Sequence, residues 1–215
     1  MKAVPALAAA VLLSLPSGLR AGDIASTVTD VKGRPVKDAV VYAQDLSGGK
    51  TPPPAQAAVM DQRGMEFVPH VLPVQTGTRV SFPNHDNIFH HVYSFSAAKT
   101  FELPLYKGKP ASPVVFDKPG VVTLGCNIHD WMLGYIVVLE TPYFAVTGVD
   151  GAASLRGLPP GDYEVRVWHA DLADPVEKTA QRVSVKEGGK SDFVIKLKTR
   201  LRLRRAPGPL PGASY

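Results

Sequence analysis

Cysteine is almost absent from this chain of 215 residues, which contains only Cys126. A single cysteine excludes an internal disulfide, so the thiol has another role or is a buried apolar group. The first residues predict export: Lys2 precedes the apolar run 3–16, and small residues follow as far as Ala21. We therefore expect a signal peptide at 1–21 and a periplasmic or secreted protein. In that oxidising compartment an unpaired cysteine needs an explanation, and metal ligation supplies one.

Long hydrophobic runs are also missing. No segment after the first twenty residues reaches the roughly 18 apolar residues of a membrane span. We expect no transmembrane segment once the signal is removed; an uncleaved N-terminal anchor is the less favoured alternative.

Familiar catalytic patterns are absent as well. The sequence has no Gly-x-Ser-x-Gly, no His-Glu-x-x-His and no phosphate-binding glycine loop. The net charge of +5 is local, because six basic side chains lie within 196–205. These features predict a protein that is not an enzyme and that has no general nucleic-acid surface. The basic segment either docks an acidic partner or membrane, or only keeps the chain end soluble.

Proline and glycine are abundant, with 20 and 19 residues, and long helical patterns are few. This composition indicates short strands joined by turns, which is an all-β fold. Three prolines at 52–54 separate an early strand from the next block. The strands that we predict are 39–43, 58–60, 67–74, 78–82, 91–95, 112–116, 120–125, 132–140, 163–168, 182–185 and 192–197.

The potential ligands lie in two segments. Cys126, His129 and Met132 share the segment Cys-Asn-Ile-His-Asp-Trp-Met, and His90 lies upstream in Asn-Ile-Phe-His-His-Val. One thiolate, two imidazoles and a thioether are the donors of a trigonal His₂Cys copper site with a weak axial methionine. The sequence therefore predicts a mononuclear copper centre.

Residues 55–140 resemble the cupredoxins, most closely the amicyanin and plastocyanin type. The resemblance rests on Gly77-Thr78, Asn84, Asp86, the pair His90-His91, the segment 116–120 and the Cys-x₂-His-x₂-Met loop. It implies a Greek-key β-sandwich with one type 1 copper, equatorial ligands His90, Cys126 and His129, and axial Met132. Where these families commonly have an asparagine that tethers the two ligand loops, this chain has His91. Strand alternation favours His90 as the ligand and turns His91 away, while a tethering role for His91 stays open.

The segment 28–41 looks like the start of a carboxypeptidase regulatory-like, or transthyretin-like, β-sandwich, and 147–163 looks like its continuation. We therefore predict a discontinuous sandwich made of 23–52 and 141–198, with the cupredoxin between its strands. Residues 199–215 would form a basic and then Pro/Gly-rich tail.

The cupredoxin resemblance implies a monomeric carrier of single electrons. Its partner would be a periplasmic dehydrogenase or a c-type cytochrome, and amine oxidation is one pathway that the resemblance suggests. An apolar rim of Pro83, Phe89, Ile128, Trp131 and Leu133 would surround His129. The alternative is a copper protein for delivery or sequestration, in which His85 and His91, or Met60, Met65 and His70, would supply further ligands.

Overall fold

The computed structural model describes residues 21–49, 51–52, 54–110, 112–185 and 189–198. The predicted signal peptide and the tail 199–215 lie outside these residues, apart from Ala21. The strands in the described ranges are β1 (Gly22–Asp30), β2 (Val40–Asp45), β3 (Ala58–Val59), β4 (Asp61–Gln62), β5 (Phe67–Val68), β6 (Val71–Gln75), β7 (Thr78–Ser81), β8 (His90–Ser96), β9 (Lys99–Tyr106), β10 (Val114–Phe116), β11 (Gly120–Gly125), β12 (Leu133–Leu139), β13 (Phe144–Val146), β14 (Ala152–Leu158), β15 (Gly161–Trp168), β16 (Gln181–Val185) and β17 (Gly189–Ile195). A 3₁₀ helix spans Val176–Thr179. The predicted all-β class is confirmed.

Two sheets enclose the middle of the chain. One has the strand order β6-β12-β11-β8-β9 and the other β10-β7-β3. We call this unit, residues 58–139, the central sandwich. Its core contains Phe82, Phe116 and Ile136, together with Cys126 and Met132.

Strands from both ends of the chain form a second pair of sheets, with the orders β14-β1-β17 and β13-β2-β15-β16. We call this unit, residues 22–45 and 144–195, the terminal sandwich. Alternation places Tyr163, Val165 and Val167 in its core, as the sequence pattern predicts. The chain leaves this unit after β2 and returns at β13, and these two strands are hydrogen-bonded neighbours. The division into separate domains stays a prediction.

The two sandwiches pack face to face, so the molecule has four layers of sheet. Tyr135, Val137 and Leu139 of β12 belong to one apolar cluster with Val40 and Trp168 at this interface. The neighbouring residues of β12 point into the central core instead. Strand β12 is therefore buried on both faces, which explains its unbroken apolar sequence.

Some strands differ from the predictions. The predicted strand 67–74 is two strands, because the chain breaks at Pro69-His70 between β5 and β6. Strands β1, β4, β9, β13 and β14 are additional. None of the helices in the described part of the chain is long and apolar enough to cross a membrane.

Candidate metal centre

Three of the predicted ligands meet at one end of the central sandwich. His90 begins β8, Cys126 directly follows β11, and His129 lies in the loop between β11 and β12. Cys126 Sγ lies 4.0 Å from His90 Nδ1 and 3.8 Å from His129 Nδ1. The two Nδ1 atoms are 3.1 Å apart. Among the described residues, this is the group of His, Cys and acidic side chains that could hold a metal ion.

The spacing of these three atoms fits one small metal ion. In zinc sites, bonds from a first-row metal to nitrogen and sulfur measure about 2.0 to 2.3 Å, so three coplanar donors would stand roughly 3.5 to 3.7 Å apart. The observed separations bracket this range. One thiolate with two imidazoles is also a donor set that suits copper. The residues present therefore fit the predicted group.

Met132 lies on the core side of the site. It is 3% exposed, belongs to the same apolar cluster as Cys126, and donates its backbone N–H to His129 O at 2.9 Å. Its assignment as the axial ligand stays a prediction.

Burial and hydrogen bonds set the charges of the site. Burial raises the pKa of the Cys126 thiol, but hydrogen bonds from His90 and from the backbone N–H groups of His91, Ile128 and His129 outweigh it and lower the pKa. A metal requires the thiolate that this environment favours.

The pKa values of the two imidazoles, His90 and His129, are shifted in opposite directions. Burial lowers the pKa of His90, but hydrogen bonds with Cys126 and Asp86 outweigh it, so the pKa is raised. Burial, together with the charge of His90, lowers the pKa of His129. Metal binding requires both Nδ1 atoms to be unprotonated, which the lowered pKa of His129 favours and the raised pKa of His90 opposes.

His91 points away from the site, as strand alternation predicts. Its Nε2 lies 2.8 Å from Glu102 Oε1 on the neighbouring strand β9, and its ring packs beside Tyr93. His91 therefore does not tether the ligand loops through its side chain. Its backbone N–H still reaches the sulfur of Cys126.

The buried Asn84 holds the His90 loop instead. It donates from Nδ2 to Ile88 O at 2.9 Å and to Tyr106 O at 2.8 Å, and it accepts from the N–H of Asp86 at 2.9 Å. Asp86 in turn bonds to His90. The sequence pattern includes both residues, but it gives no role to either.

A tyrosine ring covers the residue before Cys126. A Cβ added to Gly125 would meet Tyr93 Cζ at 2.7 Å, so any larger residue would have to displace this ring. The phenol of Tyr93 therefore packs against the backbone that carries the thiolate. No sequence signal links these residues, because they lie on different strands.

The other predicted donors lie elsewhere. His85 Nδ1 is 2.7 Å from Asp61 Oδ1, Met60 is buried in the central core, and His70 packs edge-on against Tyr135. Within the described residues these side chains form no second cluster of His, Cys and acidic ligands.

The predicted apolar rim is only partly at the surface. Phe89 and Ile128 are 52% and 47% exposed, whereas Trp131 and Leu133 are half-buried and Pro83 is buried. The ring of Trp131 packs 5.4 Å from that of His129.

No family model matches the sequence, and no curated protein matches it either. Three similar solved structures are a purple cupredoxin from Nitrosopumilus maritimus, the P52G mutant of amicyanin and the copper-containing nitrite reductase (NirK) from Thermus scotoductus. Their identities are 23%, 23% and 24%, and their TM-scores are 0.35, 0.36 and 0.38. The alignments cover 38%, 46% and 54% of this chain, and 99%, 99% and 28% of the respective structures. At these scores, the case for the site rests on its own geometry.

Proposed function

We propose that this protein is a periplasmic type 1 copper protein that carries single electrons between redox partners and catalyses no reaction of its own. The observation that supports it is the convergence of Cys126 Sγ with the Nδ1 atoms of His90 and His129. Bound copper would supply a one-electron couple between Cu(II) and Cu(I).

The surrounding residues suit that role because they hold the donors in place. His90 and Cys126 are 0% and 4% exposed, and each is fixed at the end of a strand of one five-stranded sheet. Met132 packs in the core behind them. A rigid site of this kind limits the rearrangement that accompanies a change of valence, which favours rapid electron transfer.

We propose that the electron leaves through His129. Its ring is half-buried, and the exposed residues Phe89 and Ile128 each directly precede a ligand histidine in the sequence. Lys107 Nζ lies 5.1 Å above the Phe89 ring and adds a positive charge at this end. An apolar patch with a cation beside it would suit a partner whose docking face is apolar and acidic. A c-type cytochrome or a periplasmic dehydrogenase, including one for amines, would be such a partner.

The proposal is tested by visible absorption and EPR spectra after Cu(II) is added to the mature protein. We expect an intense blue band with narrow hyperfine splitting in the wild type and its loss in Cys126→Ser. His91→Gln is the matched control and keeps the band, because the side chain of His91 faces Glu102. A pale Cu(II) complex that is unchanged in Cys126→Ser would contradict the proposal and favour delivery or sequestration.

A further inference from the structure

We propose that Asp86 is a positioning residue of the metal centre: its carboxylate fixes the ring of His90 and lowers the reduction potential of the copper. This inference rests on the proposed function above. It concerns how the site is tuned, and no feature of the sequence pattern indicates it.

Asp86 is hydrogen-bonded directly to the ligand His90. His90 Nε2 lies 2.7 Å from Asp86 Oδ2, while His90 Nδ1 faces Cys126 and His129. In the metal-binding tautomer, the proton therefore stays on Nε2 and is donated to the carboxylate. The Nδ1 lone pair is then directed at the metal position.

The carboxylate is itself held in place by the backbone of the β4–β5 hairpin. Gly64 N–H donates to Oδ1 at 2.6 Å, and Met65 N–H donates to Oδ2 at 2.9 Å. An aspartate is ordinarily ionised at neutral pH, and two N–H donors favour that anion. Asp86 is therefore an anion in a fixed position, and it joins the hairpin to the ligand loop.

A fixed anion behind a histidine ligand acts differently on the two valences. It makes the imidazole a stronger electron donor, and its charge favours the more positive ion. Both effects stabilise Cu(II) more than Cu(I), so the carboxylate lowers the reduction potential. A neutral hydrogen-bond acceptor at the same position would orient the ring without this bias.

The experiment compares the wild type with Asp86→Asn, which keeps an acceptor oxygen but removes the charge. Mutation of a residue that is hydrogen-bonded to a ligand histidine typically weakens metal binding about 10- to 100-fold. We expect a loss in this range for Cu(II) and a smaller one for Cu(I), so the reduction potential rises. Each tenfold change in the ratio of the two affinities equals about 59 mV for one electron. Asp86→Glu keeps the charge, and we expect it to restore most of the wild-type potential.

Asp117→Asn is the matched control, because it removes an equal charge from an exposed pair with Lys99 at the other end of β9. We expect Asp117→Asn to change the ratio of the Cu(II) and Cu(I) affinities less than twofold. A second readout uses the metal-free wild-type protein: nitrogen NMR should find neutral His90 protonated on Nε2.

The outcomes separate the two proposals. Suppose that the wild type gives the blue spectrum but Asp86→Asn shifts the reduction potential no more than Asp117→Asn does. The proposed role of Asp86 is then wrong, while the proposed function as an electron carrier is retained. If the wild type gives no blue spectrum, the proposed function fails, and the NMR measurement still tests the bond to His90. If neutral His90 instead carries its proton on Nδ1, the hydrogen bond to Asp86 does not orient the His90 ring, and the inference is wrong.

Discussion

At the scale of single residues, the site places a thiol, an imidazole and a carboxyl in a row, and the pKa of each is shifted towards its charged form. Cys126 has a lowered pKa, that of His90 is raised, and that of Asp86 is lowered. Each group favours the charged form of its neighbour. The metal-free protein therefore favours the thiolate that a metal requires.

This arrangement predicts how the metal-free protein responds to pH. The folded pKa of Cys126 lies below its ordinary value of 9.0, so the thiolate contributes stability that is complete above that pH and is lost as the pH falls through the folded pKa. His90 contributes below 6.5 and loses its contribution as the pH rises through its raised pKa. Ultraviolet absorbance of the thiolate, followed against pH, should place the Cys126 midpoint below 9.0.

His90→Asn should move that midpoint upward, because it removes the hydrogen bond from the imidazole. His91→Gln is the control and should leave it in place, since its backbone N–H is retained. A wild-type midpoint at or above 9.0 would contradict the prediction.

The sequence predicts that Cys126 and His129 lie together with His90, because the Cys-x₂-His spacing in one short loop is itself the signal. The role of Met132 as a ligand stays a prediction. The sequence predicts the supporting residues poorly. Asp86 and His90 are four residues apart in a loop rather than on a helix, so their spacing carries no information about contact. The contact of Tyr93 with Gly125 exists only once β8 and β11 are paired.

At the scale of elements, turn signals and apolar alternation predict most strands, and the exceptions have physical reasons. Strand β9 contains Pro104, which argues against a strand from sequence. It lies at the edge of its sheet, where a missing N–H breaks no ladder. Strand β14 has the sequence Ala-Ala-Ser-Leu-Arg-Gly-Leu, which has weak strand propensity, and it forms because β1 pairs with it.

Strand β12 has no room for a side chain at Gly134, and the effect on stability can be measured. A Cβ added to Gly134 would lie 2.8 Å from the Cβ of Phe67, an atom that moves only with its backbone. We expect Gly134→Ala to lower the free energy of unfolding by about 1 to 3 kcal/mol, the usual cost of overpacking. Unfolding of the variant and the wild type in denaturant measures this difference in free energy.

Gly161→Ala is the control on β15, because its Cβ would meet Tyr163 at an ordinary 3.6 Å. Its effect should stay within about 1 kcal/mol. If the two variants lose equal free energy of unfolding, Phe67 moves aside at little cost and the prediction for Gly134 is wrong.

At the scale of the whole molecule, the interface between the sandwiches is an apolar core in its own right. Trp168 packs edge-on against Tyr135, with ring centroids 5.6 Å apart, and Val40 and Val137 complete the contact. Strand β12 thus supports both the core that holds Cys126 and Met132 and the interface to the terminal sandwich. The candidate metal centre lies at one end of a sheet that is packed on both faces.

We expect Trp168→Ala to lower the free energy of unfolding by roughly 3 kcal/mol or more, as large aromatic truncations in a core do. Phe95→Ala truncates an aromatic that is 82% exposed and should change it by less than about 0.5 kcal/mol. Calorimetry of the two variants makes the comparison. A loss in Trp168→Ala no larger than that in Phe95→Ala would mean that the interface contributes little.

The pairing of β1 has a consequence for how the chain folds. Strand β1 is hydrogen-bonded to β14 and β17, and its Ser26 meets Ser191 at a separation of 165 residues. During synthesis β1 and β2 therefore emerge long before most of their partners, while every strand of the central sandwich is made in between. Contacts at such separations form slowly, because a long loop has to close first. We expect the central sandwich to fold first and the terminal sandwich to close around its two ends last.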